Sequence, residues 1–231
     1  MRGLLLVLEG VDGSGKSSQI EMLAEYFQKV GMKVAAMHFP RVYEQPYGVM
    51  VGALLRGEFG VNVDPHFAAL LFSLDRLHAA PELRARVKRG EVVILDRYVY
   101  SNIAYQTAKV ADPERRRILG DWIEELEFKH HDLLRPDLAL FLDAPLEFTL
   151  ANLAEKREGA DREYLRGKKD IHESDLNLQI KVRHEFLAYA GKPGSDLQVV
   201  ACSNASGGMA TPNVVKRRIL EFLRLRGMAV Q

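Results

Sequence analysis

Residues 10–17, Gly10-Val11-Asp12-Gly13-Ser14-Gly15-Lys16-Ser17, have the spacing G-x-x-x-x-G-K-[ST], and Ser18 adds a second hydroxyl. The chemistry open to such a stretch is phosphate binding. Its glycines let successive backbone N–H groups converge on phosphate oxygens, and a following helix N-terminus adds partial positive charge. In this arrangement Lys16 reaches the β- and γ-phosphates, and the Ser17 hydroxyl is a ligand for Mg²⁺. The blander alternative is a glycine-rich strand-to-helix turn with an incidental lysine. Against it stands the context, since the apolar run Leu4–Leu8 precedes the motif and an amphipathic pattern follows.

Phosphate binding does not name a reaction, because GTPases, ATP-driven switches and small-molecule kinases all use this loop. An N-K-x-D guanine box is absent from the sequence. The run Val92–Leu95 ends in Asp96-Arg97-Tyr98. Asp96 is placed to hold Mg²⁺ or its water. Arg97 can grip phosphate at two points with its planar fork, and it stays charged. Transfer of phosphate between two nucleotides requires two anions to meet, and an arginine touching both relieves their repulsion. The alternative is a surface Asp–Arg ion pair. Farther back, Phe72 and Arg76 stand at i, i+4, so one helix face carries an aromatic ring and a bidentate donor. They make a base reader, or else a core aromatic beside a surface arginine.

The elements that must position these groups follow from hydrophobic patterning. Five short apolar runs predict buried parallel strands: Leu4–Leu8, Val34–Phe39, Val92–Leu95, Leu138–Leu142 and Leu197–Ala201. Helical patterns separate them. Ile20, Leu23, Ala24, Phe27 and Val30 recur at helical spacing, and Gly31 stops the run. Asp64-Pro65 opens a helix toward Ala80. Asp112-Pro113 opens another with Ile118, Trp122 and Leu126 on one face, and Thr211-Pro212 opens the last. Alternation of this kind predicts an α/β fold, with a five-stranded parallel sheet between two helical layers and ligands at the carboxyl ends of the strands. Two stretches break the pattern. Residues 156–172 are charged and arginine-rich, as a mobile lid would be, while Ser203–Thr211 is small and polar.

Composition narrows the class. With 231 residues, 47% hydrophobic and 27% charged, the chain suits one soluble globular domain spanning 1–231. A net charge of +1 gives no reason to expect nucleic-acid or membrane-surface binding, so the expected partners are small molecules. One cysteine, Cys202, excludes a disulfide within the chain and fits a reducing cytoplasm. Glu9, Asp12 and Lys16 interrupt the apolar amino-terminal run before a signal peptide or span could form. The histidines, including His130-His131, show no metal-ligand grouping and read as surface residues.

Taken together, five segments resemble thymidylate kinases, which phosphorylate dTMP with ATP and belong to the P-loop NTPase fold. They are Leu8–Ser18, Phe39-Pro40-Arg41, Leu71–Arg76, Asp96–Asn102 with Tyr105, and Pro136–Leu142; the likeness spans roughly residues 4 to 190. The resemblance implies ATP and Mg²⁺ as cofactors, with Ser17 and Asp96 at the metal, and a homodimer. It places Phe72 against thymine, Arg76 on its O4, and Asn102 or Ser101 at the polar edge of the base. Tyr105 falls where a ring crowds a ribose 2′-hydroxyl, Asp12 near the sugar 3′-hydroxyl, Phe39 in the pocket wall, and Arg97 between acceptor and donor. Some members have a basic residue where Gly13 stands. Its absence points to the branch with catalytic arginines in the lid, here Arg157 and Arg162 first and Arg166 after them. Val42 occupies a slot where several members have arginine, which leaves Arg41 or Tyr43 for the acceptor phosphate. Another nucleoside monophosphate kinase, a diverged paralogue and a non-catalytic ATP-binding switch are the competing readings. Adenylate kinases usually have proline at the position of Asp12.

Overall fold

Apolar runs too short for helices become the strands of one sheet, Gln198 being the one polar residue inside them. The computed structural model describes residues 2–60, 62–154, 160–168, 170–173 and 175–228, the side chains of 160–162 excepted. The strands are β1 (Leu4–Glu9), β2 (Val34–His38), β3 (Val92–Asp96), β4 (Leu138–Asp143) and β5 (Leu197–Ala201), each within one residue of the expected bounds. All pair in parallel, in the order β2-β3-β1-β4-β5. Leu8 of β1 stands level with Asp96 of β3, so the strand ends that carry Glu9 and Asp96-Arg97 emerge side by side.

Alternation along the strands sends successive side chains to opposite layers. Leu6 and Leu8 pack with Leu23 and Phe27 of α1 (Lys16–Lys29) and with Val215, Ile219 and Leu223 of α8 (Pro212–Leu225). Leu5 and Val7 face the other layer. That layer contains α3 (Pro65–Lys88), α4 (Val99–Thr107), α5 (Pro113–Glu125) and α7 (Leu176–Ala190), through Leu83, Ile103, Ile123 and Phe186 among others. Burying one side chain of this size contributes about 1.5–3 kcal/mol. The shorter α2 (Tyr47–Leu55) leans on α3, and α6 (Leu146–Ala154) follows β4. No described helix is long and apolar enough to cross a membrane.

Asp64 accepts hydrogen bonds from the N–H groups of His66 and Phe67, and Asp112 from that of Arg115, as the Asp-Pro signals predict. Two expectations need correction. Helix α3 does not stop near Ala80 but runs through Pro81 to Lys88. Proline removes one helical bond, yet Leu83 and Val87 beyond it are buried in the core and offset that cost. In α5 the inward face is one position later than predicted. Leu119 and Ile123 are buried, Ile118 is 51% exposed, and Trp122 lies at the edge against the His66 ring. Continued into the π turn at Leu126–His130, the buried stripe reaches Glu127 rather than Leu126.

Candidate functional site

Residues 10–15 leave β1 and turn into α1 with Gly13 and Gly15 at φ of 77° and 86°, in the left-handed region where a side chain is disfavoured. Gly15 is the N-cap of α1, and no side chain caps the first turn. The N-terminus of α1 thus faces a cleft of about 950 Å³. Lys16 is folded over the loop, donating to the carbonyls of Gly10 and Val11 at 3.2 and 3.1 Å. Burial, and then the nearby Arg97 cation, push its ammonium down to about 8.

The same cleft brings together residues 12–18 with Phe39, Arg41, Phe72, Arg76, Asp96, Arg97, Ser101, Asn102 and Tyr105. Gly10 and Val11 are buried behind the loop. Arg157 and the side chain of Arg162 lie outside the described residues, and Arg166 is exposed.

Arg97 sits at the junction of these groups. It adopts a positive φ of 68° just after β3. Its Nη2 donates to Asp12 Oδ1 at 2.6 Å and its Nη1 to Ser101 Oγ at 3.1 Å. The Tyr105 hydroxyl donates to Asp12 Oδ2 at 2.7 Å. Burial opposes ionisation of Asp12, but the Arg97 and Lys16 cations and the Tyr105 and Gln179 donors outweigh it, holding its carboxyl well below the usual range. Asp96 pairs through Oδ2 with His38 Nδ1 at 3.1 Å. Its other oxygen is buried without a partner among the described residues. An unpartnered carboxylate oxygen and the Ser17 hydroxyl beside the cleft are the hard donors that Mg²⁺ takes alongside phosphates and waters, so these residues fit that ion.

Arg41 lines the cleft but is engaged with α3. Its N–H and Nε bond the Asp75 carboxylate at 2.8 and 3.0 Å, and its Nη2 bonds the Asp75 carbonyl at 2.9 Å. The Tyr43 hydroxyl accepts from Tyr164 N–H at 2.9 Å. Arg76, which the blander alternative placed on the surface, is instead 2% exposed and bound to Glu127 through Nε and Nη2 at 2.5 and 2.6 Å. Phe72 projects from the same helix into the cleft.

Four participants escaped the sequence reading. Glu9, the last residue of β1, is fully buried and accepts from Tyr98 N–H at 2.8 Å, Ser101 N–H at 3.2 Å and the Ser101 hydroxyl. Burial raises its carboxyl above the ordinary value despite these donors. Gln179 of α7 accepts from Asp12 N–H at 3.1 Å and donates to Asp12 Oδ2 at 2.9 Å. The third is Glu127. The fourth, His172, corrects the expectation of surface histidines: it is 7% exposed, with its ring between Phe72 and Tyr105 at 6.3 and 5.5 Å. Burial, then Lys109 2.9 Å from its Nε2, push its imidazole down to about 3.

The turn carrying His172 is built on Asp170, which accepts from the N–H groups of His172 and Glu173 and from the Tyr164 hydroxyl. Burial, then the Asp12 charge, push Asp170 up to about 6. A carboxyl raised in the fold stabilises it below its unfolded pKa, and that contribution is lost as pH rises from about 4 to about 6. The stability of Asp170→Asn should therefore gain on the original protein over that interval, by up to about 3 kcal/mol. Urea unfolding of both proteins at pH 4 and pH 7 checks it; parallel stabilities contradict the raised value.

Over residues 8–205 the chain matches the family model described as thymidylate kinase. It is 34% identical over 194 residues to a probable thymidylate kinase of Pyrococcus horikoshii, covering 82% of this chain and 84% of that one. With the thymidylate kinase of Mycobacterium tuberculosis it shares 32% identity over 177 residues, 76% of this chain and 80% of the relative. A solved structure of thymidylate kinase from Candida albicans aligns with a TM-score of 0.72 at 26% identity, covering 98% of this chain and 93% of its own. The sheet order, the phosphate loop and the Arg97 junction are thus accompanied by likeness over most of the chain, and the chain belongs to the thymidylate kinase family.

Proposed function

We propose that this chain transfers the γ-phosphoryl group of ATP to dTMP, giving ADP and dTDP. The observation that carries this reading is Arg97, whose guanidinium spans Asp12 of the phosphate loop and Ser101 and Tyr105 of α4 within one cleft. A cation there is within reach of two anionic ligands. The acceptor oxygen of a monophosphate is already anionic, so the chemistry needs no strong general base. Positioning and charge stabilisation supply the acceleration. Lys16 holds the donor phosphates and Arg97 bridges to the acceptor, while Asp12 and Gln179 fix Arg97 and Tyr105. Ser17 and Asp96 are the residues to hold Mg²⁺, which when bound offsets phosphate charge. Phe72 supplies a stacking face, and Arg76 and Asn102 the polar edge, for the base. Residues 156–172 serve as the lid, with Arg157 and Arg162 completing the positive charge on closure.

Incubation with ATP·Mg²⁺ and a panel of dTMP, dUMP, dCMP, dGMP and thymidine tests the assignment. Expected is ADP release that depends on dTMP. Slow hydrolysis indifferent to every acceptor marks a switch instead. Thymine and uracil differ by one methyl, a contact worth about 1–3 kcal/mol, so dUMP should be used about 10- to 200-fold less efficiently. A complete failure with dUMP at high concentration contradicts a pocket that sorts these two by the methyl alone. The reading extends to a cytoplasmic homodimer, supported by the exposed apolar side chains Met50 of α2 and Phe67 and Leu70 of α3. Sedimentation at two or more concentrations tests the dimer.

A further inference from the structure

Glu127 is fully buried behind the residues that line the cleft. Its two oxygens receive three donors: Arg76 Nε on Oε2 at 2.5 Å, and Arg76 Nη2 and Asn102 Nδ2 on Oε1 at 2.6 and 2.8 Å. Asn102 Nδ2 also donates to the Ala69 carbonyl at 3.0 Å. Two acceptors on one side of the amide fix its orientation, since turning it over would place oxygen against oxygen. As a result Asn102 Oδ1 is left as a buried acceptor without a partner. Arg76 is likewise held by one edge of its fork, and its Nη1 has no hydrogen bond among the described residues. Both residues line the cleft. A base edge pressed into this wall of the cleft would meet one donor beside one acceptor.

That pair is complementary to one class of base edge. Thymine and uracil present a carbonyl at C4 beside an N3–H donor. Cytosine presents an amino group beside the N3 lone pair, which sets donor against donor and acceptor against acceptor. We propose that Glu127 is a positioning residue that sets the donor–acceptor polarity of the base-reading edge, selecting imide pyrimidines against amino pyrimidines by orienting Arg76 and Asn102. The inference rests on the reading of this cleft as the dTMP site and adds to it the residue that orients the reader. A carboxylate suits the role because it only accepts. A glutamine has one acceptor and one donor, and its amide can meet Asn102 Oδ1 and turn the Asn102 amide over, so that Nδ2 faces the base.

The discriminating acceptors are dTMP and 5-methyl-dCMP, which share sugar, phosphate and 5-methyl group and differ in the polarity of this edge. Glu127→Gln is expected to raise KM for dTMP at least tenfold with kcat held within about threefold, and to shrink the preference for dTMP over 5-methyl-dCMP at least tenfold. A variant that loses thermal stability but keeps the full preference overturns the proposal and leaves Glu127 a structural residue. Glu127→Asp keeps two accepting oxygens but withdraws them by one carbon, so KM for dTMP should rise at least fivefold at near-constant kcat. An unchanged KM there overturns the proposal even if the glutamine variant does not fold. If the original protein itself fails to use dTMP, the dTMP reading falls first. If it uses dTMP and the variants sort the two acceptors as it does, only the role of Glu127 falls.

Discussion

Replacing Arg97 with alanine should lower the rate of dTMP-dependent ADP formation by about 10³-fold or more, the scale on which an arginine acts when it stabilises a transferring phosphoryl group. The side chain is anchored at both ends of its fork, to Asp12 at 2.6 Å and Ser101 at 3.1 Å, so little reorganisation stands between its resting and working positions. Lysine at this position keeps the charge and loses the two-point grip, and should recover only part of the rate. Steady-state kinetics with saturating ATP, beside a thermal melt to show that the fold persists, decide the matter. A loss below tenfold in a folded variant removes Arg97 from the centre of the mechanism.

The second large effect is on stability. Glu9→Ala strips the acceptor from two backbone N–H groups, of Tyr98 and Ser101, and from the Ser101 hydroxyl, in a place closed to water. Leaving a buried donor unmade costs about 1–3 kcal/mol each, so a combined loss of about 3 kcal/mol or more is expected. Glutamine, which keeps one accepting oxygen, should lose less. The same bonds hold the backbone that follows Arg97's positive φ of 68°, so the alanine variant should also be slower than its folded fraction accounts for. Equilibrium urea unfolding gives the first quantity, and activity per folded molecule the second. A destabilisation under 1 kcal/mol contradicts the view of Glu9 as the brace of this turn.

Much of the fold is legible in the sequence because its signals are local. A buried parallel strand must be an apolar run, and the phosphate loop must have its glycines where φ is positive, as at Gly13 and Gly15. Asp-Pro pairs open α3 and α5 because a side-chain oxygen caps the N–H groups that follow. Groups that act across long separations leave weaker marks. Gln179 meets Asp12 from 167 positions away, and nothing in its neighbours announces the contact. Glu9 had a readable signal, an acid closing an otherwise apolar strand next to the loop. Glu127 had one too, since it continues the spacing of Leu119 and Ile123. It stayed hidden because Ile118, Trp122 and Leu126 offered an equally apolar stripe one position over. A stripe of that kind cannot separate a core face from an exposed apolar edge, and Ile118 proved to be the latter. The surface expectation for His172 failed for a related reason, because its burial comes from rings contributed by α3 and α4.

The π turn at Leu126–His130 has a consequence for which changes of length the gene can tolerate. A π turn carries one more residue than the α-helical turn it replaces, and such surplus residues recur at functional sites. Each residue of an α-helix advances the face by about 100°. Losing one codon between Ile123 and Glu127 turns Glu127 by about 100° relative to Ile123, which strains its two-point bond to Arg76 while Ile123 stays in the core. Single-residue deletions should be tolerated in exposed turns such as Glu58–Gly60 and selected against in this segment, even though Lys129 and His130 at its outer surface make only exposed pairs with Glu125.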